Sequence, residues 1–468
     1  MELPGRAADA NVELPSIASE LEAAPSRWRI NTFRSLRHRN YRLYFIGQVI
    51  SMTGTWMQNA ALSLLAYDLT HLAAWPARIT AAQLVPLVVL GLWGGELADR
   101  KPKRTIIILA QSGMLLIALV LAAMVATGQA NPWPLLVIAT LNGIIGAIDL
   151  PARLAFVMDM VGREDLPNAV ALNSLMFNVA RVLGPALGAL TYVAYGPAQC
   201  FLFNALSYVA VLIGLWMMDV DGRPAKDKGR RRWSLGSGFR YLGKHRRLLL
   251  LLLLSCALSL FGWPTLALMP ALANARLYAK EFLAAIAGGA GAAAQTGWTA
   301  PGSMPALAEV QQHAKETYGL LVSAVGVGAL LAALLVASFS SRGWQKAFLA
   351  AGVTLTAVGL AGLGFVESVV AAAACCTVLG LGLILFFPTG QAIMQLGATD
   401  ENRGAIMGIW TMALGGAVPL GVWLAGEAAD FWGVSTVFEA EAYGLVLAAM
   451  LVLIASFFWR NPAPVPGK

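Results

Sequence analysis

Twelve apolar runs, each roughly 18–25 residues long, follow one another through this chain with only short polar breaks between them. A helix of that length crosses the hydrocarbon core of a bilayer, whereas a barrel strand needs only about 10 residues. Soluble proteins carry about 25% charged residues; here the charged types make up 12% and the apolar types 58%. The fold class expected is therefore all-α integral membrane, with transmembrane helices near 43–67, 77–98, 105–127, 133–153, 169–193, 199–218, 247–271, 317–339, 346–366, 369–395, 403–427 and 437–459.

The placement of Lys and Arg orients these spans. Most of the 33 basic residues fall before the first run, at Arg100–Arg104, between Arg223 and Arg247, or in other segments on the same side. The opposite side holds only Arg78, Arg276, Lys280 and Lys315. Basic loops stay in the cytoplasm, so both termini of this multi-pass protein are expected there. The net charge of +8 sits in loops between spans and does not point to nucleic acid. Residues 1–32 are polar and Pro/Ala-rich and lack the apolar core of a signal peptide, so they read as a disordered cytosolic tail. Cys200, Cys256, Cys375 and Cys376 lie inside apolar runs without metal-ligand spacing, so no disulfide, metal or cofactor is expected.

The basic segment 219–246 divides the chain into a six-helix half at 33–218 and another at 247–460, with a short tail at 461–468. The halves repeat faintly. Phe33, Arg34 and Leu36 correspond to Phe239, Arg240 and Leu242; at a second constant spacing, Gly91, Gly143, Pro151 and Gly184 correspond to Gly328, Gly380, Pro388 and Gly421. Parallel six-helix repeats are a transporter architecture. The two spacings differ because an Ala/Gly-rich insertion, 274–317, follows span 7; short helices are expected in it near 277–287 and 304–316.

Between spans 2 and 3 the chain reads Gly95-x-x-x-Asp99-Arg100-Lys101-Pro102-Lys103-Arg104. This resembles the cytoplasmic loop signature of the major facilitator superfamily, with Pro102 in place of the loop glycine, and the likeness covers the chain apart from its tail and insertion. It implies the major facilitator fold. A cytoplasmic gate then follows, in which Asp99 meets the helix N-terminus near Arg403 and Arg100 or Arg104 reaches Asp149. Asp149 can instead pair with Arg153 one helical turn on. The second half has Val336 where Asp99 stands, so the gate is one-sided. On span 5, Ala180-Arg181-Val182-Leu183-Gly184-Pro185-Ala186-Leu187-Gly188-Ala189 resembles the superfamily's antiporter signature through Gly184, Pro185 and Gly188. Small residues there allow close helix approach, expected against Gly326 and Gly328 of span 8.

Arg181 is the one cation inside a span, near the midplane, where a charge must face a partner or an aqueous cavity. Its counter-charge is left open among an anionic substrate, carbonyls freed around Pro185, and Asp68. Gln48, Ser51, Thr55 and Gln58 share one face of span 1, with Asn59 beside them; Asn142, Asn173 and Asn178 add polar groups on spans 4 and 5. Together with Arg181 they are expected to line a substrate cavity, the alternative being hydrogen bonds between helices. Trp56, Trp263 and Trp410 are aromatic candidates near it. Asp68 and Asp149 are the proton-coupling candidates, while Glu427 and Asp430 read as solvated.

Asp149-Leu150-Pro151-Ala152-Arg153, Leu166–Ser174, Tyr67-Asp68-Leu69-Thr70 and Arg403-Gly404-x-x-Met407-Gly408 are similar to the enterobactin-exporter-like branch of the superfamily. That likeness implies an exporter of a siderophore or amphipathic drug-like molecule in a prokaryotic cytoplasmic membrane, and the span 5 signature implies that export is proton-coupled; the expectation is efflux by alternating access in a monomer whose partners are the small-molecule substrate, protons and the lipid bilayer. Alternatives are an importer or lipid flippase of the same fold, or a non-transporting receptor or scaffold. No nucleotide-binding or metal motif suggests an enzyme.

Overall fold

The computed structural model describes residues 33–220, 235–278, 305–339, 342–399 and 402–458. The expected tails at 1–32 and 461–468, most of the insertion, and its first short helix lie largely or wholly outside the described residues. After a 3-10 turn, Arg34–Arg37, the first half comprises α1 (Arg39–Thr70), α2 (Ala74–Arg100), α3 (Lys103–Ala126), α4 (Pro132–Gly162), α5 (Glu164–Tyr195) and α6 (Pro197–Trp216). A linker helix, Leu235–Lys244, leads to the second: α7 (Arg246–Leu272), α8 (Pro305–Ser338), α9 (Arg342–Phe365), α10 (Val369–Gly397), α11 (Arg403–Trp432) and α12 (Val434–Phe458).

Eleven of the twelve are long and apolar enough to span a membrane by composition; α1, at 32 residues, is the other, its polar stripe lowering its hydropathy. The expected helix at 304–316 is not separate. It is the start of α8, which runs unbroken from Pro305 through that part of the insertion. Gly162, at φ 73°, separates α4 from α5 in a conformation only glycine adopts without strain. Pro264 lacks an N–H and interrupts α7, which consists of Arg246–Gly262 and Thr265–Leu272. The Thr265 hydroxyl takes up the Gly262 carbonyl at 3.2 Å.

The two halves use the same contacts. In the first, α4 touches α2 at Gly143, α5 touches α1 at Gly184, and α6 touches α1 at Gly47 and Gly54. In the second, α10 touches α8 at Gly380, α11 touches α7 at Gly421, and α12 touches α7 at Gly444. A methyl on Gly143 would lie 2.2 Å from the Gln83 carbonyl oxygen, and one on Gly380 2.0 Å from that of Val325. Only glycine permits this backbone approach, and both positions belong to the sequence repeat. Gly91 fails to match Gly328 here: it meets open space, while Gly328 abuts the Thr377 carbonyl. Between the halves, α2 packs on α11 and α5 on α8. Outside, Val89, Leu109, Val370 and Leu453 are exposed, as a lipid-solvated surface requires.

Candidate functional site

A cavity of about 320 Å³ lies between the halves, walled by α1, α2, α4 and α6 on one side and α7, α8 and α11 on the other. Thr55, Asn59, Asn142, Gln83 and Tyr208 supply its polar atoms, and Trp56, Trp263 and Tyr318 its aromatic surface. Thr55 and Tyr208 share a hydrogen bond of 3.1 Å. Arg181 is 3% exposed, with its guanidinium 5.8 Å from the Trp56 ring centre and 5.2 Å from that of Trp263. Cation–π attraction of this kind strengthens with desolvation. The two indoles come from opposite halves, and Arg181 Nη2 has no hydrogen-bond partner among the described residues. A planar cation with an unused donor beside a mostly apolar cavity is suited to an anionic group on a larger apolar molecule.

The expected cavity set divides. Thr55, Asn59 and Asn142 line the space and Arg181 adjoins it through the indoles. Gln48, Ser51 and Gln58 do not. They occupy the buried side of α1, where Gln48 accepts from Arg153 at 2.9 Å and Gln58 accepts from Asn204 at 2.7 Å. Asn173 and Asn178 do not line it either, and Asn178 donates to the Ser174 carbonyl one turn back. Trp410 packs on Gly390 instead of the cavity. Gln83, Tyr208 and Tyr318 were not foreseen; on sequence they are ordinary polar or aromatic residues in apolar runs.

On the face carrying the basic loops, the motif residues are shared out within the first half. Arg100 pairs with Glu96, and Arg104 donates to the carbonyls of Leu215 and Trp216 at the end of α6, 3.0 and 3.1 Å away. A cation at a helix C-terminus is favoured by the exposed carbonyls. Neither arginine takes Asp149, which is fully buried 2.7 Å from Arg153 Nε and accepts from the Gln111 amide at 3.3 Å. Of the two pairings open to Asp149, the helical-turn one forms. Gly95 lies in open space, and Asp99 is exposed. Gly184 and Gly188 pack on α1, at Trp56 and Met57, not on α8. The α5–α8 approach is made by Gly319 against Ala189 and Pro185, by Gly326 against Val182 and by the Ser323 hydroxyl donating to the Val182 carbonyl at 2.9 Å; Gly328 faces α10.

The opposite face carries a set of bonds that the sequence reading missed. Arg78 of α2 forms two parallel bonds with Glu427 of α11, 2.6 and 2.7 Å long. Asp430 accepts from the Ala73 and Ala74 N–H groups at 2.6 and 3.2 Å, capping α2. Glu427 and Asp430 are therefore cross-half partners, not solvated carboxylates. Asp68 accepts from Tyr192 and pairs with Lys315 of α8, each at 2.8 Å, so it is committed far from Arg181. These contacts tie the halves together above the cavity.

Glu441 of α12 was also missed. It is 5% exposed, and neither carboxyl oxygen has a hydrogen-bond partner among the described residues. Among the described residues, no His, Cys, Asp and Glu cluster of metal-binding size occurs.

Comparison with known proteins agrees with this geometry. The chain is 23% identical over 412 residues, 88% of its length and 94% of the relative's, to the "Staphyloferrin A transporter" of Staphylococcus aureus. It is 26% identical over 218 residues to the "Enterobactin exporter EntS" of Shigella boydii, spanning 46% of this chain and about half, 52%, of that protein. The solved nucleoside transporter NupG superposes with a TM-score of 0.70 over 90% of this chain and 100% of that one, at 15% identity. A bacterial homologue of the lysosomal transporter Spinster, in an inward-facing occupied state, gives 0.65 at 13% identity over 92% of this chain and 99% of that one. The model of the transmembrane secretion effector family matches residues 30–310, and that of the Major Facilitator Superfamily matches residues 286–468. With a family match over more than half of its length, twelve long helices and a cavity between two repeated halves, the chain belongs to the major facilitator superfamily of membrane transporters.

Proposed function

We propose that this transporter exports an anionic, siderophore-type small molecule in exchange for protons, by alternating access. The observation carrying this reading is Arg181, buried between Trp56 and Trp263 with a donor to spare. An anion entering the cavity satisfies that donor, and its apolar body finds the indoles and Tyr318. Because Trp56 and Trp263 belong to different halves, a ligand held there is positioned to sense their relative motion. The siderophore class is supported by the similarity to the staphyloferrin A transporter of S. aureus and the enterobactin exporter of S. boydii.

The basic loops support an orientation with the face bearing Arg100–Arg104 in the cytoplasm. The bonds between Arg78 and Glu427, Asp430 and α2, and Lys315 and Asp68 then form an outer gate, closed in this structure. The test uses inverted membrane vesicles from cells expressing the protein, with ferric-free staphyloferrin A and enterobactin as probes. Accumulation driven by an imposed pH gradient, abolished when the gradient is collapsed, is the expected result. Accumulation indifferent to the gradient removes proton coupling, and gradient-driven depletion reverses the direction to import.

A further inference from the structure

We infer that Glu441 of α12 carries the coupled proton, and that it is bound, occluded and neutral in the outer-closed conformation described here. This rests on the antiport reading above and supplies the residue that reading lacks. Asp68 is paired with Lys315, and Asp149 with Arg153, whereas Glu441 is buried with both oxygens unbonded. An ionised carboxylate in such a place would forfeit its solvation with no compensating bond, so the side chain holds a proton here.

The internal repeat says why this site is unusual. The spacing that takes Gly184 to Gly421 takes Asn204 to Glu441, and the spacing that takes Phe33 to Phe239 takes Gln58 to Pro264. In the first half, the Asn204 amide donates to Gln58 at 2.7 Å, a satisfied pair between α6 and α1. The packing follows the same register in the second half: a methyl on Gly444 would lie 2.8 Å from the Phe261 ring. One turn toward the outer face on each helix brings Glu441 level with Pro264. Where Gln58 offers a side-chain amide, Pro264 has no polar side-chain atom, so an ionisable group stands where the twin half has a neutral, bonded one. Trp263, next to Pro264, touches both the cavity and Arg181. Motion at this break in α7 thus links the anion subsite to the shielding of Glu441.

The helices packed on α12 carry few other ionisable groups. On α9, Arg342 and Lys346 stand at the basic-loop end, as do Arg246 and Arg247 on α7 and Arg403 on α11. Cys256 lies within α7, and Glu427 and Asp430 are engaged with α2. Arg276 falls in the turn Ala273–Leu277, and Glu439, on α12 itself, abuts Gly364 of α9. Among the described residues, neither oxygen of Glu441 has a hydrogen-bond partner.

In the cycle, Glu441 takes one proton from outer-side water when the outer gate is open. The neutral side chain becomes buried as the gate closes, and the proton passes to cytoplasmic-side water once α7 moves as the anion binds. One proton enters for each return of the empty carrier. Protonation therefore favours outer closure, and this stabilisation is present at low pH and lost as pH rises.

The test needs no substrate. Spin labels are placed at Leu72→Cys and Phe431→Cys, exposed positions flanking the Asp430 contact from opposite halves, in a background lacking the four native cysteines. In reconstituted wild-type protein, the closed-to-open ratio should fall with rising pH, by up to about tenfold per pH unit while only the closed form holds the proton. Glu441→Gln should stay closed at every pH, and Glu441→Asp should restore the response. A Glu441→Gln protein that titrates like wild type, or a wild-type distance that does not move between about pH 5.5 and 8.5, overturns the inference. Dicyclohexylcarbodiimide, which modifies protonated carboxyls in apolar surroundings, gives a second measurement on unmutated protein. An adduct on Glu441 by mass spectrometry is expected, and its absence at acid pH counts against the inference. Loss of gradient-driven transport in the vesicle assay with an intact pH response of the gate would refute antiport alone.

Discussion

Arg181 and Arg78 show two ways in which one guanidinium can be held. Arg181 was legible as a cation in an apolar run, since such a residue must find a partner. Its partners, two indoles from different halves, were not legible, because they depend on how the halves meet. Lysine keeps the charge but lacks the planar face that stacks on both rings. Arg181→Lys should raise the substrate concentration for half-maximal flux about tenfold, and Arg181→Ala should remove transport while leaving the protein folded by size-exclusion chromatography; unchanged flux in both would detach Arg181 from the substrate. Arg78 was read from sequence only as an outside charge. Its bidentate partner Glu427 lies 349 residues away, and no local pattern connects them. Both side chains are partly exposed, so the pair is worth about 1 kcal/mol, a factor of about five in the gate equilibrium. Glu427→Gln should open the outer gate by that factor, read as faster labelling of Asn59→Cys by an impermeant maleimide added from outside.

At the scale of the element, the helices were legible from apolar length and the turns from charge, yet the lengths of α1 and α8 and the break in α7 were not. A polar stripe hides α1 from hydropathy, Ala-rich sequence at 305–316 is equally compatible with loop or helix, and Pro264 reads like the prolines that α2, α10 and α11 absorb within intact helices. The glycines were legible as small residues, but which neighbour each one admits emerges only from packing. Two of them on α11 separate stability from conformation. A methyl on Gly421 would strike the Leu260 carbonyl, 2.2 Å away inside the second half. Gly421→Ala should therefore cost about 1–3 kcal/mol of stability and lower the melting temperature. A methyl on Gly426 would strike the Ala77 side chain, also 2.2 Å away but across the two halves. The halves can relieve that clash by parting, so Gly426→Ala should leave the melting temperature near wild type and shift the spin-label distance to the open form. Equal loss of stability in both variants would show that α2 and α11 do not separate during the cycle.

For the whole molecule, the asymmetry between the two faces decides which charges gate and which only brace. The basic loops led the sequence reading to expect the latch on their side. There Arg104 is spent on α6, Lys103 on Asp159 at 2.6 Å, and Arg34 on Asp165 at 2.7 Å, all inside the first half. Such pairs survive rigid-body rocking and cannot choose between conformations. On the opposite face, the outer one in the proposed orientation, the named bonds cross between halves, so they break when that face opens, and the proposed alternating access then requires comparable contacts at the other face to hold the outer-open state. Asp99, exposed at the end of α2, which packs on α11, is the residue we propose for that counter-latch. If it acts only in the outer-open state, Asp99→Asn should bias the carrier toward the outer-closed form, slowing export while leaving the affinity measured from the cytoplasmic side unchanged. Weakening the opposing latch should then compensate. The double variant Asp99→Asn with Glu427→Gln should export faster than Asp99→Asn alone, although Glu427→Gln removes a bond. Additive losses would mean that the two faces are not opposed in one equilibrium, whereas rescue would make them two ends of the same switch, with the Arg181 cavity between them.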